Sequence, residues 1–342
     1  MSPTRAGGAP GRGPLAVLCA LLAGAAGCSA PASDTPAAHG PEIDNCGMAV
    51  PAGDPPRRIF AAYHNAVEMA HALGLGDRLV GTAFLDNTVL PEYADAQAAA
   101  PYYPALPSKE ELLRLEPDFV VSGYGSFTDD AFGSRGDLAD LGVRTWQFTS
   151  MCPTEDGLGQ EALVPGDVTM DDVYADIEGL GEVTGTEERA AEVVAGMRAD
   201  IEEVTARLDG VEERPRVAVV SFEEDGIRVL GGNDIATEVI ELAGAENVFA
   251  DVSGRLTKVG VEELVSRDPE VLLFLTCCGE DVDESDAGPR IAEVRADPAL
   301  ADVPAVRDDR LHGFTFATSS AGVRSADAVV QVARFAHPDL FG

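Results

Sequence analysis

Positive charge is scarce in this chain: 24 Lys and Arg stand against 59 Asp and Glu, a formal net charge of −35 at pH 7. So little basic surface cannot neutralise a phosphate backbone, which excludes nucleic acid as a partner. The excess favours solubility and names no ligand by itself. After the N-terminal segment no apolar run reaches the roughly 20 residues a bilayer crossing needs. Histidine is sparse as well. Beyond residue 56 the only ones are His64, His71, His312 and His337, too few convergent ligands for a closed transition-metal site. There is no Gly-x-Ser-x-Gly elbow and no Gly-x-x-x-x-Gly-Lys phosphate loop. Cys277 and Cys278 are adjacent and lack the Cys-x-x-Cys spacing of thioredoxin-like sites. These absences point away from an enzyme and from any cofactor. Bare metal-ion binding and thiol-redox chemistry at Cys277/Cys278 remain the alternatives.

What is present begins with a processing signal. Arg5 and Arg12 form a positive region, an apolar run spans residues 15–27, and Ala25-Ala26-Gly27 meets Cys28. This is the order of a secretory signal over residues 1–28. The last step resembles the bacterial lipobox, with Ala25 where that pattern prefers Leu. The resemblance implies lipidation of Cys28 and anchoring to the outer face of the cell membrane. Residues 29–56, rich in Ala, Pro, Ser, Gly and Asp, read as a flexible tether, because such a stretch cannot bury enough apolar surface to offset its ordering entropy. Four further cysteines, Cys46, Cys152, Cys277 and Cys278, allow three disulfide connectivities in an exported chain. Cys46–Cys152, tying the tether's end to the first lobe, is the preferred pair. Cys277 and Cys278 read equally as a vicinal disulfide or two thiols.

An internal repeat organises the rest. Residues 110–121, Glu-Glu-Leu-Leu-Arg-Leu-Glu-Pro-Asp-Phe-Val-Val, match residues 262–273, Glu-Glu-Leu-Val-Ser-Arg-Asp-Pro-Glu-Val-Leu-Leu. Each is a short helix stopped by proline, then an apolar run of the kind buried on both faces of a parallel sheet. A second pair, residues 67–74 and 237–244, reads as a helix closed by glycine. Two such units predict an α/β protein: two Rossmann-like lobes with central parallel sheets and right-handed crossovers. The lobes are placed at residues 57–166 and 214–342. Residues 167–213 are connecting helices. Thr169-Met-Asp-Asp172 marks a helix start, and Val193, Val194, Met197, Ile201, Val204 and Leu208 share one face of a long rigid helix, roughly 33 Å in length.

The ordered set of these motifs resembles the ABC-importer solute-binding proteins for ferric siderophores and vitamin B12, the two-lobe type with a helical backbone. The matching stretches are residues 56–68, 72–81, 115–121, 241–251, 322–329 and 337–341. The resemblance implies a monomer that captures its ligand between lobes with modest closure and docks on a membrane permease served by a cytoplasmic ATPase. Glu110 and Glu262 match the positions where the family presents one glutamate per lobe to permease arginines. Acids in a helix's first turn also have a plain structural use, and Ser108 with Glu111 forms a capping box, which leaves Glu110 free to project. B12-binding members carry a Trp just before the second docking helix; Leu256 stands there in this chain. That favours a ferric siderophore, with a hydroxamate suited to an acidic cleft. Vitamin B12 and haem are the alternatives.

In open parallel sheets ligands bind beyond the carboxyl ends of the strands. That rule selects Tyr63, His64, Phe84, Tyr103 and Tyr124 from the first lobe, and Arg255 and Phe316 from the second; Arg324, in the matching stretch 322–329, is a further ligand-binding candidate. Asp86, Glu223, Gly231-Gly232 and Cys277-Cys278 lie in the same set of loops. Aromatic rings supply rigid contact area, and arginine supplies a planar donor fork. Asn65-Ala-Val-Glu68 reads as a capping box at the start of the first helix.

Overall fold

The computed structural model describes residues 41–153, 168–223 and 226–341. Cys28 lies outside the described residues. Among the described residues no helix is long and apolar enough to cross a membrane.

The stretch expected to be a tether, residues 29–56, holds regular structure among its described residues. Residues 42–51 form a hairpin of β1 (Glu42–Asn45) and β2 (Met48–Pro51). Cys46 and Gly47 turn it with φ of 53° and 75°, the pair of positive angles that suits a tight hairpin. Polar groups pin it to the first lobe. The Arg135 guanidinium donates to Asn45 O at 2.7 Å and Asn45 Oδ1 at 2.8 Å, and Asn45 Nδ2 donates to Gln147 O at 2.8 Å. Cys46 and Cys152 are joined, with Cα atoms 5.2 Å apart and a sequence separation of 106. Loop-entropy arguments give such a crosslink on the order of 5 kcal/mol.

The first lobe runs β3 (Ile59–Ala62), α1 (His64–Ala72), β4 (Leu79–Ala83), α2 (Ala94–Ala99), β5 (Tyr102–Tyr103), α3 (Lys109–Arg114), β6 (Phe119–Ser122), α4 (Arg135–Asp140) and β7 (Arg144–Gln147). Its strands pair in the order β5-β4-β3-β6-β7, all parallel. Every residue of β3 and β6 is buried, which is why these strands read as unbroken apolar runs.

Two helices follow, α5 (Met170–Thr184) and α6 (Glu187–Arg207), turned at Gly185 with φ 70°. The Thr169–Asp172 capping box forms at the start of α5. Along α6 the buried residues are Ala190, Val194, Met197, Ile201 and Val204, one stripe at helical spacing. This face packs on α5 and on the later helix Ser325–Ala336, so α6 is part of a helical layer and not a bare strut.

The second lobe runs β8 (Arg216–Glu223), β9 (Gly226–Leu230), α7 (Ile235–Leu242), β10 (Glu246–Asn247), β11 (Leu256–Val259), α8 (Val261–Arg267), β12 (Val271–Thr276), α9 (Gly288–Ala296), α10 (Pro304–Arg307), β13 (Leu311–Thr315), α11 (Phe316–Ser319), α12 (Ser325–Ala336) and α13 (Pro338–Phe341). The sheet order is β11-β9-β8-β12-β13, with β10 beside β8. It is not wholly parallel: β9 runs antiparallel to both β8 and β11. The two reversals leave β11 parallel to β12, so β11–α8–β12 repeats the crossover β5–α3–β6. One apolar core runs from Ile59 and Phe119 through Ile177 and Val194 to Val217 and Leu273. That continuity joins the sheets through the helical layer and opposes large lobe motion.

Candidate ligand cleft

The strand ends of both lobes open on one cleft of about 440 Å³. Tyr63 follows β3, Phe84 and Asp86 follow β4, and Gly123 and Tyr124 follow β6. From the other lobe come Ser221 and Glu223 of β8, Leu275, Cys277 and Cys278 at the end of β12, and Phe316 after β13. Tyr63 and Phe84 hold φ of 70° and 58°, a region costing non-glycine residues on the order of 1–3 kcal/mol. Backbone bonds hold them there: Tyr63 N donates to Ala83 O at 2.8 Å, and Phe84 N donates to Tyr103 O at 3.0 Å. The distortion brings both rings to the cleft wall.

Tyr63 stands 5.2 Å from Phe84 and 5.1 Å from Tyr124, centroid to centroid. Such tilted pairs fix each other's orientation. Burial, with Tyr124 and Asp86 nearby, pushes the Tyr63 phenol up to about 12, so it stays a neutral hydrogen-bond donor. Arg255 does not line the opening. It lies behind the rings, 5.4 Å from Tyr124 and 5.3 Å from Phe316. Its Nε donates to Asp234 at 2.7 Å and its NH2 to Ser320 Oγ at 3.2 Å. Asp234 in turn caps α7. Arg255 therefore backs the aromatic wall, and its charge is matched by Asp234.

His64 and Arg324 are also placed away from the cleft. Both are buried in a seam between the lobes. Arg324 grips Glu68 with two bonds, Nε at 2.7 Å and NH2 at 2.6 Å, and also donates to Thr88 O at 2.7 Å. His64 Nε2 lies 3.2 Å from Glu68 and 3.0 Å from Arg324. Leu90 N adds a fourth bond to Glu68 at 2.7 Å. Burial raises the Glu68 carboxyl, but the bonds from Arg324 and His64 prevail and hold it at about 2. Asn65 is not the cap: α1 begins at His64, and Asn65 Nδ2 donates to Gly123 O of one lobe and Ala321 O of the other. Asn87, fully buried, donates to Thr276 O at 3.0 Å and accepts from Ala317 N at 3.0 Å. Nothing in local spacing announces partners about 190–260 residues apart, so this seam was invisible in the sequence.

Other expected residues fall elsewhere. Tyr103 packs on Phe60, outside the cleft lining. His312 stacks on Phe335 at 4.1 Å. Gly231 and Gly232 face the carbonyls of Val252 and Ala250, where a Cβ would lie 2.3 and 2.1 Å away; they allow close backbone packing. Arg228, which sequence reading missed because β9 was not foreseen, lines the cleft and pairs with Glu223 at 2.8 Å. Cys277 and Cys278 are joined to each other in the cleft wall. Their sulfurs and an Asp86 oxygen lie within 4.8 Å of one another; as a disulfide, the pair offers no thiolate.

Glu110 and Glu262 occupy the same second helical position of α3 and α8, each two residues after the cap, Ser108 or Gly260. Both are exposed, and among the described residues neither enters an ion pair. A crossover helix runs back against the strand it feeds, so it starts at the strands' carboxyl end. Both glutamates therefore sit at the cleft-side end of their sheets.

The periplasmic binding protein family model matches residues 59–315, which covers both sheets and the cleft lining up to Phe316. A vitamin B12-binding protein of Vibrio parahaemolyticus is 23% identical over 221 residues, 65% of this chain and 71% of that protein. An uncharacterized ABC transporter substrate-binding lipoprotein of Bacillus subtilis is 22% identical over 290 residues, 84% of this chain and 82% of that one. Among solved structures, an ABC-type Fe3+-hydroxamate transport system from Saccharomonospora viridis is similar with a TM-score of 0.69 at 27% identity, covering 86% of this chain and 98% of that one. Twin sheets, a cleft at their carboxyl ends and a family match spanning both lobes lead to one assignment: the chain belongs to the periplasmic binding protein family.

Proposed function

We propose that this protein is the exported substrate-binding component of an ABC importer, and that its cleft carries a ferric siderophore of the hydroxamate type to a membrane permease. The observation that carries the reading is the aromatic wall of Tyr63, Phe84, Tyr124 and Phe316 around an open cleft of about 440 Å³. Rigid rings with a few polar groups suit a bulky chelate whose metal is already fully coordinated. The likeness to the Saccharomonospora structure supports the hydroxamate class. Glu110 and Glu262 would meet permease arginines, one per lobe, and Cys28 would carry the lipid anchor. The Bacillus relative, described as a lipoprotein, supports that anchor.

The Vibrio relative's vitamin B12 is the second reading. Leu256 lines the cleft here, at the place where the family's B12 binders carry a Trp. Calorimetric titration with ferric hydroxamates, ferric catecholates, haem and cobalamin separates the readings. Micromolar or tighter binding of ferric hydroxamates alone is expected. Cobalamin binding in their place would transfer the protein to the second reading, and silence across the panel would remove chelate import. Calorimetry is the appropriate probe because Trp146, the only tryptophan, is buried against α5 with its Nε1 donating to Asp176 at 3.1 Å, away from the cleft.

A further inference from the structure

The charged side chains around the cleft are matched inside the protein, with one exception. Arg228 is paired by Glu223, Arg255 by Asp234 and Arg324 by Glu68. Asp86 is only 7% exposed, faces the cleft, and among the described residues receives no N–H or O–H bond on its carboxylate. Among those residues the one polar atom in hydrogen-bond range of that carboxylate is Cys277 Sγ at 3.7 Å, and a sulfur in a disulfide has no proton to give. His64, Arg255 and Arg324 act on Asp86 only through space, without a bond. An orphan carboxylate in low dielectric is expensive to keep. The rings that share its wall, Tyr63, Phe84 and Tyr124, offer π faces that attract a cation.

We propose that Asp86, walled by Tyr63, Phe84 and Tyr124, is the anchor of a cation subsite in the cleft, which takes a primary ammonium carried on the bound chelate. The inference rests on the chelate reading and adds its charge: the ligand is cationic at one end, and Asp86 sets that specificity. Burial pushes the carboxyl up to about 6, so at neutral pH it is mostly ionised and ready to pair.

The test uses three probes with the same ferric coordination: ferrioxamine B with its terminal ammonium, its N-acetyl derivative, and the macrocyclic ferrioxamine E, which has no ammonium. Titrated calorimetrically into the wild-type protein at pH 7, the ammonium form is expected to bind roughly ten- to a hundredfold tighter, the range of a charge-assisted bond. The Asp86→Asn variant should bind all three alike. Equal wild-type affinity for the three complexes overturns the cation subsite while leaving chelate import standing. Survival of the preference in Asp86→Asn would overturn the assignment to Asp86. Failure of every complex to bind overturns the chelate reading and the subsite with it. The wild-type comparison of probes needs no variant, so a folding defect in Asp86→Asn would not protect the idea.

Discussion

Glu68 and Asp86 are both carboxylates buried where the two lobes meet, and the protein treats them in opposite ways. Glu68, 1% exposed, accepts a two-pronged grip from Arg324, a backbone bond from Leu90 and a contact from His64. The carboxylate of Asp86, one loop away, accepts no N–H or O–H hydrogen bond among the described residues. The difference separates structure from function within a few residues. In the seam the Glu68 carboxylate is answered by Arg324 of the other lobe, which fixes the lobes in register. In the cleft a polar group is left unanswered, and the missing partner must come from outside.

Breaking the seam should give the largest effect. Arg324→Met leaves Glu68 buried without its cation, and removing one partner of a buried pair costs about 3–5 kcal/mol. Urea unfolding at pH 7 measures it. A loss below about 1 kcal/mol would mean that the apolar core alone holds the lobes. The double variant Glu68→Gln with Arg324→Met should recover part of the loss, because the stranded charge is gone. Asn87→Ala should come next, at about 2 kcal/mol, since it strands Ala317 N and the Thr276 carbonyl.

The same contrast marks what the sequence could say. The sheets, the repeated helix–proline–strand unit and the crossovers were legible because they depend on local period and on residues such as Pro117 and Pro269. Tyr63, Phe84, Tyr124 and Phe316 were legible as cleft residues because the ends of parallel strands converge. The fates of His64, Arg255 and Arg324 were not. A polar residue at a strand end looks the same whether it meets a ligand or the opposite lobe, and partners such as Glu68 and Arg324 lie 256 residues apart. The β1–β2 hairpin was hidden for a related reason: its stability comes from Arg135 and Gln147 far along the chain, not from its own composition. The antiparallel strand β9 lacked the long apolar run that marked its neighbours, because Arg228 breaks it.

Asp86→Asn sharpens the comparison with a smaller effect of opposite sign. Removing an unanswered charge should stabilise the empty protein at pH 7 by about 1 kcal/mol while it weakens binding of an ammonium-bearing chelate. The pH dependence follows the two carboxyls in opposite directions. Asp86 titrates near 6, above its ordinary 3.8, so its contribution to stability is full below pH 3.8 and is lost as pH rises through 6. Glu68 titrates near 2, below its ordinary 4.5, so its contribution is full above pH 4.5 and is lost as pH falls toward 2. Thermal unfolding of wild type against Asp86→Asn and against Glu68→Gln, from pH 3 to 8, should give difference curves of opposite slope. Parallel curves would show that the two carboxyls are not treated differently.

The smallest effect on the molecule itself should come from Glu110 and Glu262, and that smallness is what makes them informative. Both are exposed acids without an ion-pair partner among the described residues, each in a helix's first turn. Replacing either by Ala should change stability by no more than about 0.5 kcal/mol, and ligand affinity not at all. Their neighbour Glu111 provides the contrast: its carboxylate closes the capping box with Ser108 through bonds of 2.9 and 3.0 Å, so Glu111→Ala should lower stability more than either of them. If Glu110 and Glu262 dock on a permease, uptake of labelled ferric chelate by cells should fall sharply in Glu110→Ala and Glu262→Ala and stay near normal in Glu111→Ala. Uptake that follows stability, failing most in Glu111→Ala, would assign all three acids to helix structure.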